Sequence, residues 1–84
     1  MDREEIITRL KPIVSTYVED KAQLENLNED TDFIRDLRIN SANLVDIVLD
    51  VEEEFGIVID NLSMERMLNV GASIEVIETK LAGQ

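Results

Sequence analysis

Asp36-Leu37-Arg38-Ile39-Asn40-Ser41-Ala42-Asn43-Leu44-Val45-Asp46-Ile47-Val48-Leu49-Asp50-Val51-Glu52-Glu53-Glu54-Phe55-Gly56 is a polar turn that runs into an uninterrupted helical pattern and stops at glycine. Asn40 and Ser41 sit where the turn becomes the helix, and both are good N-cap types because a short side-chain oxygen accepts from the free amides of the first turn. Gly56 supplies the stop, since the residue just past the last turn often takes a left-handed conformation that glycine adopts without steric cost. With successive residues about 100° apart, Leu44, Ile47, Val48, Val51 and Phe55 share one stripe, the predicted core face. Ala42, Val45 and Leu49 follow i, i+3, i+7 and fall on a different face. Asp46 and Glu53 lie beside that second stripe and Glu52 lies between the two. A small apolar strip is thus fenced by carboxylates, with Ser41 at its upstream end. Geometry alone leaves two readings open: a docking surface for another protein, or apolar residues that widen the core contact or stand singly on the surface.

The chain has 84 residues, which predicts a single domain over 1–84, near the lower size limit for a self-sufficient core. With 8 basic against 19 acidic residues its formal charge is -11, so nucleic-acid phosphates and anionic membrane surfaces repel it and basic protein partners attract it. The sequence contains no cysteine and no histidine, which removes a disulfide framework, a thiolate nucleophile and the usual general base at neutral pH. Met1-Asp2-Arg3-Glu4-Glu5 begins a charged helix rather than a secretory signal, and no apolar run is long enough to span a bilayer. The expected location is therefore cytoplasmic.

Working outward, Ile6, Ile7, Leu10, Ile13, Val14, Tyr17 and Val18 recur at helical spacing and predict a first helix from Asp2 to about Val18. Asp2 and Glu5 have the spacing of a capping box. Pro12 predicts a kink or a restart; alternatively, the first helix ends near Lys11 and Pro12 opens another. Residues 19–30 lose the periodicity and read as a long connection whose Leu24 and Leu27 press onto the first helix. Its carboxylates do not make a calcium loop, because neither possible register supplies the sixth-position glycine or the twelfth-position glutamate. Thr31 to Leu37 suits one or two helical turns that lay Phe33 and Leu37 on the core. Ile57-Val58-Ile59 has no second strand to pair with and reads as an apolar loop. Asp60 to Ser63 offers caps for a short third helix presenting Met64, Met67 and Leu68 inward. The methionines are either core filler or the flexible lining of a pocket. Asn69 caps a last helix carrying Val70, Ile74, Ile77 and Leu81, and Gly83 ends it. The expected fold is all-α: a small four-helix bundle with a long loop between helices one and two and a short third helix.

Asp36-Leu37, Ser41 and Glu52-Glu53-Glu54-Phe55-Gly56 together resemble the acyl carrier proteins, whose usual run is Asp-Leu-Gly-x-Asp-Ser-Leu followed by a helix ending in acids, an aromatic and a small residue. Val70-Gly71-Ala72-Ser73-Ile74 is similar to the family's entry into its last helix. Arg38 stands for the family's glycine, Asn40 for its aspartate and Ala42 for its leucine; Arg35 replaces an acid. The resemblance implies that a phosphopantetheinyl transferase moves phosphopantetheine from coenzyme A onto Ser41, near a helix N-terminus whose free amides and dipole suit a phosphodiester. The arm's thiol would then carry acyl chains as thioesters. It also implies that basic patches on the transferase and on acyl-transferring and condensing enzymes read Asp46, Glu52 and Glu53, with Ala42, Val45 and Leu49 as the apolar centre. The departures at Asn40, Ala42 and Arg38 point to a carrier dedicated to one fatty-acid, polyketide or related pathway; a monomer is expected. Val51, Met64 and Met67 are the candidate lining of an acyl pocket.

No glycine-rich phosphate loop, metal-ligand spacing or nucleophile-base pair is present, so an intrinsic active site has almost nothing to be built from and the chain is not expected to be an enzyme. A glycosidase carboxylate pair fails on size, and Ser41 lacks a histidine or buried lysine to activate it. The competing readings of Ser41 are a plain capping serine and, at the level of function, an unmodified acidic adaptor that docks a basic enzyme through the second helix. Crowded carboxylates repel one another, so salt or millimolar magnesium raises the melting temperature relative to low salt; circular dichroism melts in the two buffers measure the difference, and coincident curves would refute it.

Overall fold

Asp2, Asp60 and Asn69 each place a side-chain oxygen on the amide three residues ahead, at 2.8 Å to Glu5, 3.0 Å to Ser63 and 2.7 Å to Ala72. Each marks a helix start, because the first-turn amides have no partner inside the helix. The computed structural model describes residues 2–19 and 21–83. Its α-helices are α1 (Arg3–Ser15), α2 (Asn43–Phe55), α3 (Asn61–Arg66) and α4 (Val70–Ala82), with a 3-10 helix, Lys21–Asn26, between the first two. No strand occurs among the described residues, and the expected all-α fold with a short third helix is the observed one.

Ile6, Leu10 and Val14 of α1 are buried on one side. α1 runs unbroken through Pro12. The expected restart does not occur, nor does the helix end near Lys11: Pro12 stands in the second half of one continuous helix, with buried Leu10 and Val14 on either side of it. α1 does end at Ser15, three residues short of the expected Val18, which is nonetheless buried. Only half of the expected capping box forms, since Glu5 directs its side chain to Arg9 at 3.6 Å. Tyr17, past the end of α1, donates to Asp50 of α2 at 3.0 Å.

The connection from 19 to 30 contains more structure than its sequence suggests, although Leu24 and Leu27 pack against the core as expected. Residues 31–37 form hydrogen-bonded turns rather than a helix. The Asp32 carboxylate accepts from the Ile34 and Arg35 amides at 2.9 and 2.8 Å, and the Asp36 carboxylate accepts from the Asp32 amide at 2.7 Å. These side chains compete with the helical ladder, which is why an aspartate-rich stretch folds into turns. Phe33 and Leu37 are buried as expected.

The same segment is stitched to the start of α4. Phe33 donates its amide to the Leu68 carbonyl at 3.1 Å, Val70 to Thr31 at 2.9 Å and Gly71 to Glu29 at 2.8 Å. Arg3 adds ion pairs to Glu29 and to Glu78 of α4. Ile57 and Ile59 are buried and Val58 between them is 80% exposed, so this run is the expected apolar loop. Met67 is buried and Met64 half-buried, but Leu68 is 49% exposed. The inward placement of Leu68 is corrected: α3 ends at Arg66, and Leu68 lies in the turn whose carbonyl receives Phe33. Val70, Ile74 and Ile77 are buried in α4, and Gly83 ends it in an ordinary right-handed conformation.

Gly71 is required by that stitch. A Cβ there would lie 2.8 Å from the Glu29 carbonyl oxygen, against backbone that cannot swing away. Alanine in a helix ordinarily gains about 1 kcal/mol over glycine, whereas overpacking costs about 1–3 kcal/mol. Gly71→Ala is therefore expected to lower the thermal midpoint by roughly 4–8 °C, the equivalent of about 1 kcal/mol. Gly83→Ala, whose Cβ meets only ordinary contacts from 3.5 Å outward, leaves the midpoint nearly unchanged in the same melts.

Candidate functional site

α2 begins slightly later than its sequence suggests, with Ala42 at the N-cap position and no side-chain cap from that residue. Capping is done from further upstream. The Asn40 side-chain oxygen accepts from the Ala42 amide at 2.9 Å, and its carbonyl accepts from Asn43 at 2.8 Å. The Ser41 carbonyl accepts from Leu44 at 3.2 Å. Ser41 is exposed, and its hydroxyl has no hydrogen-bond partner among the described residues. The plain capping role for Ser41 is thus taken over by Asn40, which leaves the hydroxyl available. The expected supply of free amides is corrected as well: those of Ala42, Asn43 and Leu44 are engaged within the turn. An anion on Ser41 would be favoured by the helix dipole more than by direct amide contacts.

Downstream, Ile47, Val48, Val51 and Phe55 are buried while Val45 and Leu49 are 48% and 56% exposed. Ala42, Asp46 and Glu53 are also exposed. The two stripes face as expected, so the Ala42, Val45, Leu49 strip is not part of the core. Glu52 differs from its acidic neighbours. It is half-buried, and its carboxylate accepts from the Ile59 amide at 2.7 Å, pinning the loop that follows α2. Gly56 takes φ 65° and ψ 39°, the left-handed stop read from the sequence.

Arg38 shows what the sequence did not reveal. Its φ is 56°, the one positive φ outside glycine among the described residues. That is the position where glycine would be free of strain, and the signal for it is the glycine of the resembled motif. Arg35 and Arg38 line one hollow together with Asn28, Asp30, Thr31, Asp36 and Leu37. A second hollow lies between α3 and α4, lined by residues including Ser63, Arg66, Val76 and Lys80. Val51, Met64 and Met67 line neither of them, and Val51 and Met67 fill the core. Among the described residues no acidic group has the arrangement of a metal site, and no helix is long and apolar enough to cross a membrane.

A four-helix fold with an exposed, unbonded serine at the head of its second helix has the features expected of a carrier domain. The family model described as the phosphopantetheine attachment site matches residues 12–78. The chain is 39% identical over 80 residues to the acyl carrier protein of Thermotoga maritima, covering 94% of this chain and 95% of that one. It is 32% identical over 79 residues to the acyl carrier protein of Lactobacillus acidophilus, covering 94% and 96%. A solved structure of the acyl carrier protein from Enterococcus faecalis superposes with a TM-score of 0.76 at 26% identity, covering 95% of this chain and 99% of that one. The chain belongs to the acyl carrier protein family, whose cofactor is phosphopantetheine, and it carries acyl groups on that cofactor.

The left-handed conformation costs a non-glycine residue about 1–2 kcal/mol, against which the extra freedom of an unfolded glycine counts roughly 0.5–1 kcal/mol. Arg38→Gly is expected to stabilise the fold by about 1 kcal/mol, read in urea or thermal melts as a midpoint roughly 4–8 °C higher. A lower midpoint would show that the arginine side chain makes stabilising contacts that outweigh the strain.

Proposed function

We propose that Ser41 is the attachment point. Its hydroxyl oxygen takes the phosphopantetheinyl group from coenzyme A in a transferase-catalysed step, forming a phosphodiester and releasing the nucleotide half of coenzyme A. The terminal thiol of the arm then holds acyl chains as thioesters, chemistry that a chain without cysteine cannot supply itself. One observation carries this reading: the Ser41 hydroxyl is exposed and unbonded where a plain capping serine would have engaged an amide. Asn40 holds the turn in its place.

The exposed strip of Ala42, Val45 and Leu49, with Asp46 and Glu53 beside it, is the docking face for the transferase and for acyl-transferring and condensing enzymes with basic patches. Glu52 contributes there with the oxygen that does not accept from Ile59. Storage of an acyl chain at Val51, Met64 and Met67 would require these core side chains to part, and the adaptable methionine thioethers suit that better than branched side chains do. Arg35, Arg38, Asn40 and Ala42 change the charge and bulk around the serine, which supports a carrier dedicated to one fatty-acid, polyketide or related pathway; a cytoplasmic monomer is part of the same proposal.

Intact-mass spectrometry before and after incubation with coenzyme A, magnesium and a narrow- or broad-specificity phosphopantetheinyl transferase tests the assignment. The expected result is a gain of one phosphopantetheine that Ser41→Ala abolishes. A Ser41→Ala protein that keeps full activity in its pathway would instead establish an unmodified adaptor.

A further inference from the structure

Between residues 22 and 65 the only basic residues are Arg35 and Arg38, and both lie on the turns just before Ser41. They line the same hollow. Both are exposed, and neither forms an ion pair among the described residues, although the chain holds 19 carboxylates. Asp32 accepts from the Ile34 and Arg35 amides and Asp36 from the Asp32 amide, so these two carboxylates are engaged with backbone. Arg38 also occupies a left-handed position where glycine would cost nothing. Residues held in such conformations cluster at functional sites.

A pair of exposed guanidinium groups suits an oxyanion, and their fork geometry matches a carboxylate. The hollow also contains Asp30 and Asp36, whose charges oppose a doubly charged phosphate more than a singly charged carboxylate. Arg38 is three residues from Ser41, at most about 11 Å along the backbone. Enzymes that dock on the Ala42, Val45 and Leu49 strip downstream can work at the far end of a flexible arm without touching the turns upstream of Ser41. The enzyme that brings its catalytic groups onto the Ser41 hydroxyl must approach those turns.

Building on the attachment of phosphopantetheine at Ser41, we propose that Arg35 and Arg38 form a docking point for an acidic side chain of the transferase that modifies this chain. The transferase is then basic opposite α2 and acidic opposite the turns that precede it. This sign reversal makes the chain a poor substrate for a transferase whose docking face is basic throughout, and it fixes the orientation of the right one.

The test uses the full chain, coenzyme A and the transferase isolated from the source cell by its loading activity. Steady-state loading is compared for the natural chain, the Arg35→Glu/Arg38→Gly variant, and Arg66→Glu as a charge control on the opposite side of the sequence gap. The double variant is expected to raise KM for the carrier at least tenfold, with kcat and KM for coenzyme A unchanged, while Arg66→Glu moves KM less than twofold. Replacing one transferase carboxylate by lysine should restore loading of the double variant. Equal KM values for the natural chain and the double variant overturn the docking point but leave attachment at Ser41 standing. A change confined to KM for coenzyme A also overturns it, because the arginines would then hold a cofactor phosphate. Absence of any phosphopantetheine on Ser41 overturns both readings together. Circular dichroism melts of the double variant confirm that it is folded under the assay conditions.

Discussion

Everything near Ser41 depends on three backbone hydrogen bonds that tie residues 29–33 to residues 68–71. A turn-rich segment of this length has no ladder of its own, and each exposed amide and carbonyl it buries must be paired. The start of α4 provides the partners, and glycine at 71 lets the two backbones approach to 2.8 Å. Each bond contributes only about 1 kcal/mol net, but together they set where Phe33 and Leu37 enter the core. The Ile39 amide then bonds the Phe33 carbonyl at 3.0 Å, which carries the constraint to the doorstep of Asn40 and Ser41. Residue 41 is thereby placed by contacts with the far end of the chain.

The acidic composition is less wasteful than the net charge suggests. Asp2, Asp32, Asp36, Glu52 and Asp60 each accept a backbone amide, so these carboxylates shape turns and helix starts. Hydrogen bonds from Ser63 hold the Asp60 carboxyl below its ordinary pKa, and the hydrogen bond to Asp50 is the main reason the Tyr17 phenol lies above its own. The acids that do no such work include Asp46 and Glu53, both exposed beside the Val45 and Leu49 strip. Asp46 and Glu53 therefore keep their carboxylates free for solvent, whereas Glu52 in the same helix spends one oxygen on the Ile59 amide.

What could be read from the sequence was local. The two faces of α2, the Gly56 stop and the caps at Asp2, Asp60 and Asn69 all follow from periodicity and from side chains reaching three residues ahead. Serine 41 was legible through the motif around it, and its freedom from capping was not, because Asn40 and Ser41 are equally good caps on paper. The stitch at Gly71 joins residues about forty apart in sequence, a pairing that no local pattern encodes. Leu68 looked like a core residue by spacing, but α3 stops two residues earlier. Glu52 was read as surface charge, since nothing in its own helix announces the Ile59 amide.

The departures from the family's motif leave the geometry of the turn intact while changing its charge. Asn40 supplies the same accepting oxygen that an aspartate would, and does so at 2.9 Å without a negative charge. Arg38 takes up the left-handed conformation that suits glycine and adds a positive one. Ala42 adopts an ordinary helical conformation at the N-cap position, so the loss of a larger side chain there costs the fold little. The three departures thus preserve backbone shape and shift charge and bulk within the same few residues around the serine. What differs from the motif here is side chains on a fixed frame, and the frame itself is the family's.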